Sequence, residues 1–388
     1  MGYDFDTPVD RRGTASVKWD YGKRYTGMED ALPLWVADMD FPACSEVIAS
    51  LKRRAEHGVF GYTLEPESYF QAVIDWMGRR HNWSIRRGWM VSAPGVVPSL
   101  NLAFAAFSQP GDGIVIQPPV YYPFRESIIN NDRRVVENPL RLEGQRYTMD
   151  LSQLEAAIDG RTRLLVLCSP HNPVSRVWSR PELERLVEIC LRRRITILSD
   201  EIHHDLILKG HRHTPTAALS EEAASITLTL TSATKTFNLA GLGCSLVIAS
   251  NEQLRERYLA AQKRTWTGLA NAFSTVATET AYRHGRSWLE QVIAYVQGNY
   301  EFLSTFLAER LPEARLIPLE GTYLAWVDLR ALGLSDEQLK ERILRQARVW
   351  LDDGPMFGSG GEGFQRINLA CPRSTLEKAL EAMVRVLA

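Results

Sequence analysis

The sequence predicts an α/β protein: a mostly parallel central sheet flanked by helices, followed by a smaller α+β unit. Three observations predict this. Unbroken aliphatic or β-branched runs recur at residues 113–117, 163–168, 195–199 and 226–230, and runs of this kind suit strands covered on both faces. Between two of them, Leu183, Leu186, Val187, Cys190 and Leu191 fall at helical spacing with Glu and Arg on the other side, so a helix connects those strands. Beyond residue 286 the pattern becomes long helix, strand, helix, strand, helix, the mark of a separate smaller unit.

Taken in order, residues 1–45 are rich in Trp, Asp and Pro and read as an arm packed on the small domain or on a partner subunit. Residues 46–286 form the large domain. Within it, Ala93-Pro-Gly-Val-Val-Pro-Ser99 leads into a helical pattern at 100–106, and a helix start offers free amides. Ser179 and Pro181 are start signals for the helix at 181–191. Residues 287–388 form the small domain. It opens with a helix at 287–311, interrupted only by Gly298, and continues as a strand at 321–328. A helix at 334–349 begins with Ser335 as its cap; a strand at 364–369 and a last helix at 374–387 complete the chain.

Length and composition narrow the function. The 388 residues allow two or three domains, and 45% hydrophobic with 23% charged residues is ordinary for a globular protein. A net charge of −1 gives no footprint for nucleic acid or an anionic membrane surface. No run approaches the roughly 18 apolar residues of a membrane span. The opening Met-Gly-Tyr-Asp-Phe-Asp has no apolar core of a signal peptide. Five scattered cysteines without a Cys-x-x-Cys pair suggest reduced thiols and a cytoplasmic location.

The chemistry is carried by an ordered set of residues. Lys235, in Thr231-Ser-Ala-Thr-Lys-Thr-Phe-Asn238, lies 35 residues after Asp200 and 63 after Asn172. A lysine at a buried strand end has its charge penalised, which makes its amine nucleophilic and basic near neutral pH. Asp200 closes a strand at the sheet edge where ligands gather. Asn172 sits in Pro170-His-Asn-Pro173, just past another strand. A lysine to bond an aldehyde, a carboxylate for a pyridine nitrogen and donors for a phenolic oxygen and a phosphate fit pyridoxal phosphate, PLP. Tyr121 is placed to stack on such a ring, with Tyr122 as its rival. The helix start after Ala93-Pro-Gly-Val-Val-Pro-Ser99 suits its phosphate. Arg366, within the late strand, suits a substrate carboxylate.

Other patterns do not carry function. Ser232-x-x-Lys235 matches an acyl-transfer motif, but its companions are missing: Ser199-Asp200 is followed by Glu201 and Lys235-Thr236 by Phe237. Gly358-x-Gly360-x-x-Gly363 precedes a strand, so it is not a dinucleotide fingerprint. His203, His204, His211 and His213 match no standard metal spacing and read as surface or supporting residues. No metal is expected.

The chain resembles the fold type I PLP enzymes of the aminotransferase class I/II superfamily, and more closely the MalY/PatB-type cystathionine β-lyases (C–S lyases). Carrying this are Ser16-Val-Lys-Trp-Asp20, Pro33-Leu-Trp-Val-Ala-Asp-Met-Asp-Phe41, Gly61-Tyr-Thr63, Ser199-Asp-Glu-Ile-His203 and Cys371-Pro-Arg373. The resemblance implies that Lys235 binds PLP and moves the Cα proton. It pairs Asp200 with the pyridine nitrogen and Asn172 with the phenolic oxygen, and stacks Tyr121 on the ring. Ser232, Val96 and Val97 would hold the phosphate, Arg366 the substrate carboxylate, and Tyr62 would reach into the neighbouring subunit of a homodimer to phosphate and substrate. His203 stands at the cofactor where aminotransferases usually have Tyr, and Gly243 where they usually have a phosphate-binding Arg; both departures favour a lyase. Ser175 replaces the family's usual Gly after Asn-Pro-x. The implied reaction is α,β-elimination from L-cystathionine or a related L-cysteine S-conjugate, giving a thiol, pyruvate and ammonia. An aminotransferase, or a regulatory binding partner on the same fold, is the alternative.

Overall fold

The computed structural model describes residues 2–268 and 270–388. The large unit is built on seven strands: β1 (Met90–Ala93), β2 (Gly113–Ile116), β3 (Arg134–Glu137), β4 (Thr162–Cys168), β5 (Thr196–Asp200), β6 (Thr227–Thr231) and β7 (Ser245–Ile248). Their order across the sheet is β1-β7-β6-β5-β4-β2-β3. Neighbours run parallel, except that β7 is antiparallel to both β6 and β1. The four predicted strands are β2, β4, β5 and β6. The short β1, β3 and β7 are not among the predicted strands. Strands β2, β5 and β6 are almost wholly buried, as expected where helices cover both faces. Helix Arg180–Arg193 packs Leu183, Leu186, Val187 and Cys190 inward, and Glu182 accepts from the Ser179 amide at 2.8 Å to close its start.

A second sheet contains β8 (Arg315–Leu316), β9 (Leu324–Asp328), β10 (Asp352–Asp353) and β11 (Phe364–Asn368), ordered β8-β9-β11-β10 and antiparallel throughout. The 25-residue helix Arg286–Arg310 precedes it, and helix Arg373–Leu387 ends the chain. The helix expected at 334–349 stops early. Asp336–Lys340 is α-helical, Glu341–Gln346 continues as a π-helical turn, and Arg348 takes a left-handed backbone conformation with φ 56°. Val349–Trp350 instead pairs in parallel with Leu32–Pro33. A β-branched residue and a tryptophan gain burial and backbone partners as a strand, which outweighs the helical periodicity.

That pairing ties the N-terminal segment to the second sheet. Phe5 packs against Phe41, Trp288 and Tyr295, and Arg11 bonds Asp38 through two nitrogens at 2.8 and 2.7 Å. The segment then crosses to the carboxyl edge of the large sheet. There the ends of β2, β4, β5 and β6 converge, and the chemistry-bearing loops follow them.

Candidate active site

One cavity of about 260 Å³ opens at that edge. Past β6, Ser232 caps the short helix Ala233–Thr236 by accepting from the Thr234 amide at 3.1 Å, which turns Lys235 into the cavity. The Lys235 Nζ donates to the Ala37 carbonyl at 2.5 Å. Burial lowers its pKa from 10.5 to about 8; the Arg366 cation adds to this, while Asp38 and Asp200 oppose it. The amine lines the cavity yet is ringed by protein, so it can exchange protons at neutral pH.

Asp200, the last residue of β5, is buried beside it and accepts from the Ile202 amide at 3.1 Å. Burial raises its pKa to about 7, with Glu201 adding to the rise and Lys235 opposing it. A carboxylate in that state is poised to accept a cationic partner. His203 is also buried, and burial together with the Lys235 and Arg366 charges keeps it neutral.

Asn172 follows β4, and its Oδ1 accepts from Arg366 Nη1 at 2.9 Å. That contact leaves the Asn172 amide nitrogen as the free end. Arg366 is central in β11, opposite Trp326 on one side and Asp352 on the other. It donates to the Trp35 carbonyl at 2.8 Å and forms an ion pair with Asp352, while its buried Nε has no acceptor. Burial raises the Asp352 pKa to about 6 even beside Arg366.

Tyr121 lines the cavity, with its ring 5.5 Å from that of Tyr122, which lines it too. Val96 and Val97 begin helix Val96–Phe107 and border the same space. Gly95 provides no side-chain cap, so the first-turn amides are available to an anion. The cavity thus brings together Lys235, Asp200, Asn172, Arg366, Tyr121, His203, Val96 and Val97. Ser232 stands behind the wall: its hydroxyl donates to the Cys244 carbonyl at 2.6 Å, and Thr234 lines the cavity in its place. Tyr62 is 97% exposed and lines no part of this cavity.

Sequence reasoning missed Ala37, Trp35, Thr234 and Asp352. Ala37 and Trp35 act through backbone carbonyls, which no residue type announces. Asp352 meets Arg366 through sheet register, which one sequence does not display.

The histidines divide between the surface and supporting readings. His211 is exposed, but His204 and His213 are buried. They pack with His81 beneath the Lys235 helix, because Asp205 and Glu201 need donors there. Asp205 accepts from His81 at 2.9 Å, Trp76 at 3.0 Å and Thr236 at 2.8 Å. His204 Nε2 lies 3.1 Å and Arg80 Nε 3.0 Å from the same carboxylate. His81, His204 and Asp205 offer metal-type ligands close together, but these donors already surround the Asp205 oxygens. Its carboxyl is held well below the usual range by His204 and His81 despite burial. Replacing Asp205 with Asn is expected to lower the unfolding free energy by about 3–5 kcal/mol at neutral pH. Denaturant titration checks this; the deficit should shrink in acid, because the wild-type carboxylate then takes up a proton.

The donor set fits PLP. It supplies an amine for the aldehyde, a buried carboxylate for the ring nitrogen, an amide for the phenolic oxygen and helix-start amides for the phosphate. The sequence pattern of the family described as aminotransferase class I and II matches residues 29–383. The chain belongs to that family. Within it, the chain is similar to cystathionine beta-lyase PatB of Bacillus subtilis (strain 168), 43% identical over 378 residues that span 97% of this chain and 98% of that one. Among solved structures it is similar to cystalysin from Treponema denticola, which contains a PLP cofactor: TM-score 0.96, 38% identity, covering 100% of this chain and 99% of that one. A PLP-bound protein of Clostridium difficile 630, provisionally named an aminotransferase, gives a TM-score of 0.98 at 43% identity, covering 100% of both chains.

Proposed function

We propose that this chain is a PLP-dependent carbon–sulfur β-lyase that cleaves L-cystathionine or related L-cysteine S-conjugates to a thiol, pyruvate and ammonia. The observation that carries it is the single cavity that Lys235, Asp200, Asn172 and Arg366 share with a free helix start. Relatives named as lyases of this kind support the same reading. When bound, PLP supplies an electron sink that lets the Cα–H bond break and the Cβ–S bond follow.

The protein's own groups divide the remaining work. Lys235 would hold the cofactor, and its amine, whose pKa burial lowers to about 8, would take the Cα proton. Asp200 would keep a proton on the ring nitrogen. Asn172 would offer its free amide to the phenolic oxygen, Tyr121 would stack on the ring, and His203 stays neutral in the same cavity. The Val96 and Val97 amides hold the phosphate, with Ser232 supporting the turn that faces it. Arg366 receives the substrate carboxylate, which also positions the sulfur-bearing carbon. Arg366→Ala should raise KM by about 10- to 100-fold with a smaller change in kcat. Initial rates over a substrate series read this split. Asp352, left without its cation, should take up a proton in that variant.

The same proposal divides the chain into an arm (1–45), a large PLP-binding domain (46–286) and a small domain (287–388), in line with the two sheets. It also makes the active unit a homodimer. Val59, Phe60, Tyr62 and Leu64 are all more than half exposed within six residues, a surface that monomers rarely leave uncovered. Tyr62 would cross from the partner to phosphate and substrate. No helix among the described residues is long and apolar enough to cross a membrane, and five unpaired cysteines suit the cytoplasm.

The test is purified, PLP-loaded protein given L-cystathionine with no keto acid. Thiol and pyruvate released in equal amounts over many turnovers is the expected result. Glutamate formed only when α-ketoglutarate is added, with no pyruvate, would replace the lyase by an aminotransferase.

A further inference from the structure

Residues Trp35–Phe41 touch both ends of the site without offering a reactive side chain. The Ala37 carbonyl accepts from Lys235 Nζ at 2.5 Å and from the Tyr323 hydroxyl at 2.8 Å. The Trp35 carbonyl accepts from Arg366 at 2.8 Å. Two asparagines grip the backbone alongside. Asn238, three residues after Lys235, donates to the Met39 and Phe41 carbonyls at 2.9 and 2.8 Å and accepts from the Met39 amide at 3.0 Å. Asn368, two residues after Arg366, donates to the Val36 and Asp38 carbonyls at 2.8 and 2.6 Å and accepts from the Ala370 amide at 2.8 Å.

We propose that Trp35–Phe41 is a strap coupling Lys235 to Arg366, with Asn238 and Asn368 as its positioning residues. The proposal rests on the roles given to Lys235 and Arg366 above. Lys235 follows a strand of the seven-stranded sheet, whereas Arg366 lies in the four-stranded one. The strap is a shared partner of both, so the two sheets do not set its place independently. Each asparagine commits both amide hydrogens to strap carbonyls, which Asp cannot imitate because it has no donor when ionised. Asn238 adopts φ 57°, a left-handed conformation that Asn tolerates better than most residues. On the arm side, Arg11 holds Asp38 at 2.7 Å and the buried Lys18 holds Asp40 at 2.6 Å, so the strap is anchored from three directions.

A strap of this kind transmits a disturbance from one end to the other. The charged and titratable groups facing Lys235 are Asp38 on the strap, Asp200 and His203 at the end of β5, and Arg366 on β11. Tyr323 meets it through the shared Ala37 carbonyl. Loosening the strap at Asn368 changes the Ala37 acceptor and the Asp38 field felt by Lys235. Loosening it at Asn238 releases the Trp35 carbonyl that orients Arg366.

The test crosses the two ends. In the full chain before PLP is added, labelling of Lys235 by an amine-reactive acylating reagent is followed against pH by mass spectrometry. In the PLP-loaded enzyme, KM and kcat for L-cystathionine are measured. Asn368→Ala, beside Arg366, should move the labelling midpoint of the distant Lys235 by about half a unit or more. Asn238→Ala, beside Lys235, should raise KM by about fivefold or more. Tyr323→Phe keeps the ring and removes one donor to Ala37, and should raise KM in the same sense if an asparagine variant fails to fold. Variants that lose thermal stability while both crossed measurements stay at wild-type values would overturn the strap. A wild-type Lys235 no more reactive at pH 8 than surface lysines would instead overturn its assigned role, and the strap proposal with it.

Discussion

Lys235→Ala should lower pyruvate release by at least about 10⁴-fold, while the phosphate contacts leave the protein able to retain some PLP. The size of the loss follows from two tasks resting on one nitrogen: holding the cofactor and taking the Cα proton. Among the described residues no second amine lines the cavity. Turnover assays on matched, PLP-loaded preparations check this, and near-normal activity would sink the assignment. Burying the same amine also costs stability in the cofactor-free protein. Its pKa is about 8 folded against an ordinary 10.5, so between those values the unfolded chain binds more protons. The unfavourable Lys235 contribution to the cofactor-free wild type is therefore relieved as pH rises from about 8 to above 10. Lys235→Met, with no charge to bury, should be more stable than wild type by about 2 kcal/mol at pH 7, and that margin should shrink by pH 10.5. Denaturation at the two pH values reads the difference.

Asp200→Asn should cost about 10²- to 10³-fold in kcat with the fold intact, the equivalent of about 3–4 kcal/mol. Asn matches the shape of the side chain but cannot hold a proton on a ring nitrogen by charge. In the cofactor-free protein burial raises the Asp200 pKa to about 7, so this group binds more protons in the native state than in the unfolded state between about 4 and 7. The Asp200 contribution to apoprotein stability thus falls as pH rises through that window, and Asp200→Asn lacks that contribution. The variant should be the more stable apoprotein at pH 8 and the poorer enzyme. A fall in activity matched by a fall in apoprotein stability would mean that Asp200 serves the fold instead.

Much of this was legible in the residues because function here sits at strand ends. The aliphatic runs ending at Cys168, Asp200 and Thr231 announced a covered sheet, and the polar residues at and just past their ends lie where ligands gather in such sheets. Arg366 was legible for a related reason: an arginine inside an apolar strand needs an acceptor. What could not be read were contacts made by the backbone or by register. Nothing in the letter Ala predicts that the Ala37 carbonyl meets Lys235 across 198 positions. The pairing of Asp352 with Arg366 depends on how β10 and β11 align. The helix expected at 334–349 failed for the complementary reason: its last residues find partners in Leu32–Pro33, far away in sequence. The buried His81–His204–Asp205 cluster was hidden because a spacing rule for metals says nothing about residues that satisfy a carboxylate.

The measurement that bears most directly on the account is to fix the cofactor in place by borohydride reduction of the PLP-loaded protein, then map the modified peptide by mass spectrometry. The account predicts the cofactor on Lys235 alone, in the peptide containing Ser232 to Phe237. Modification of a different lysine, or none at stoichiometric loading, would contradict it.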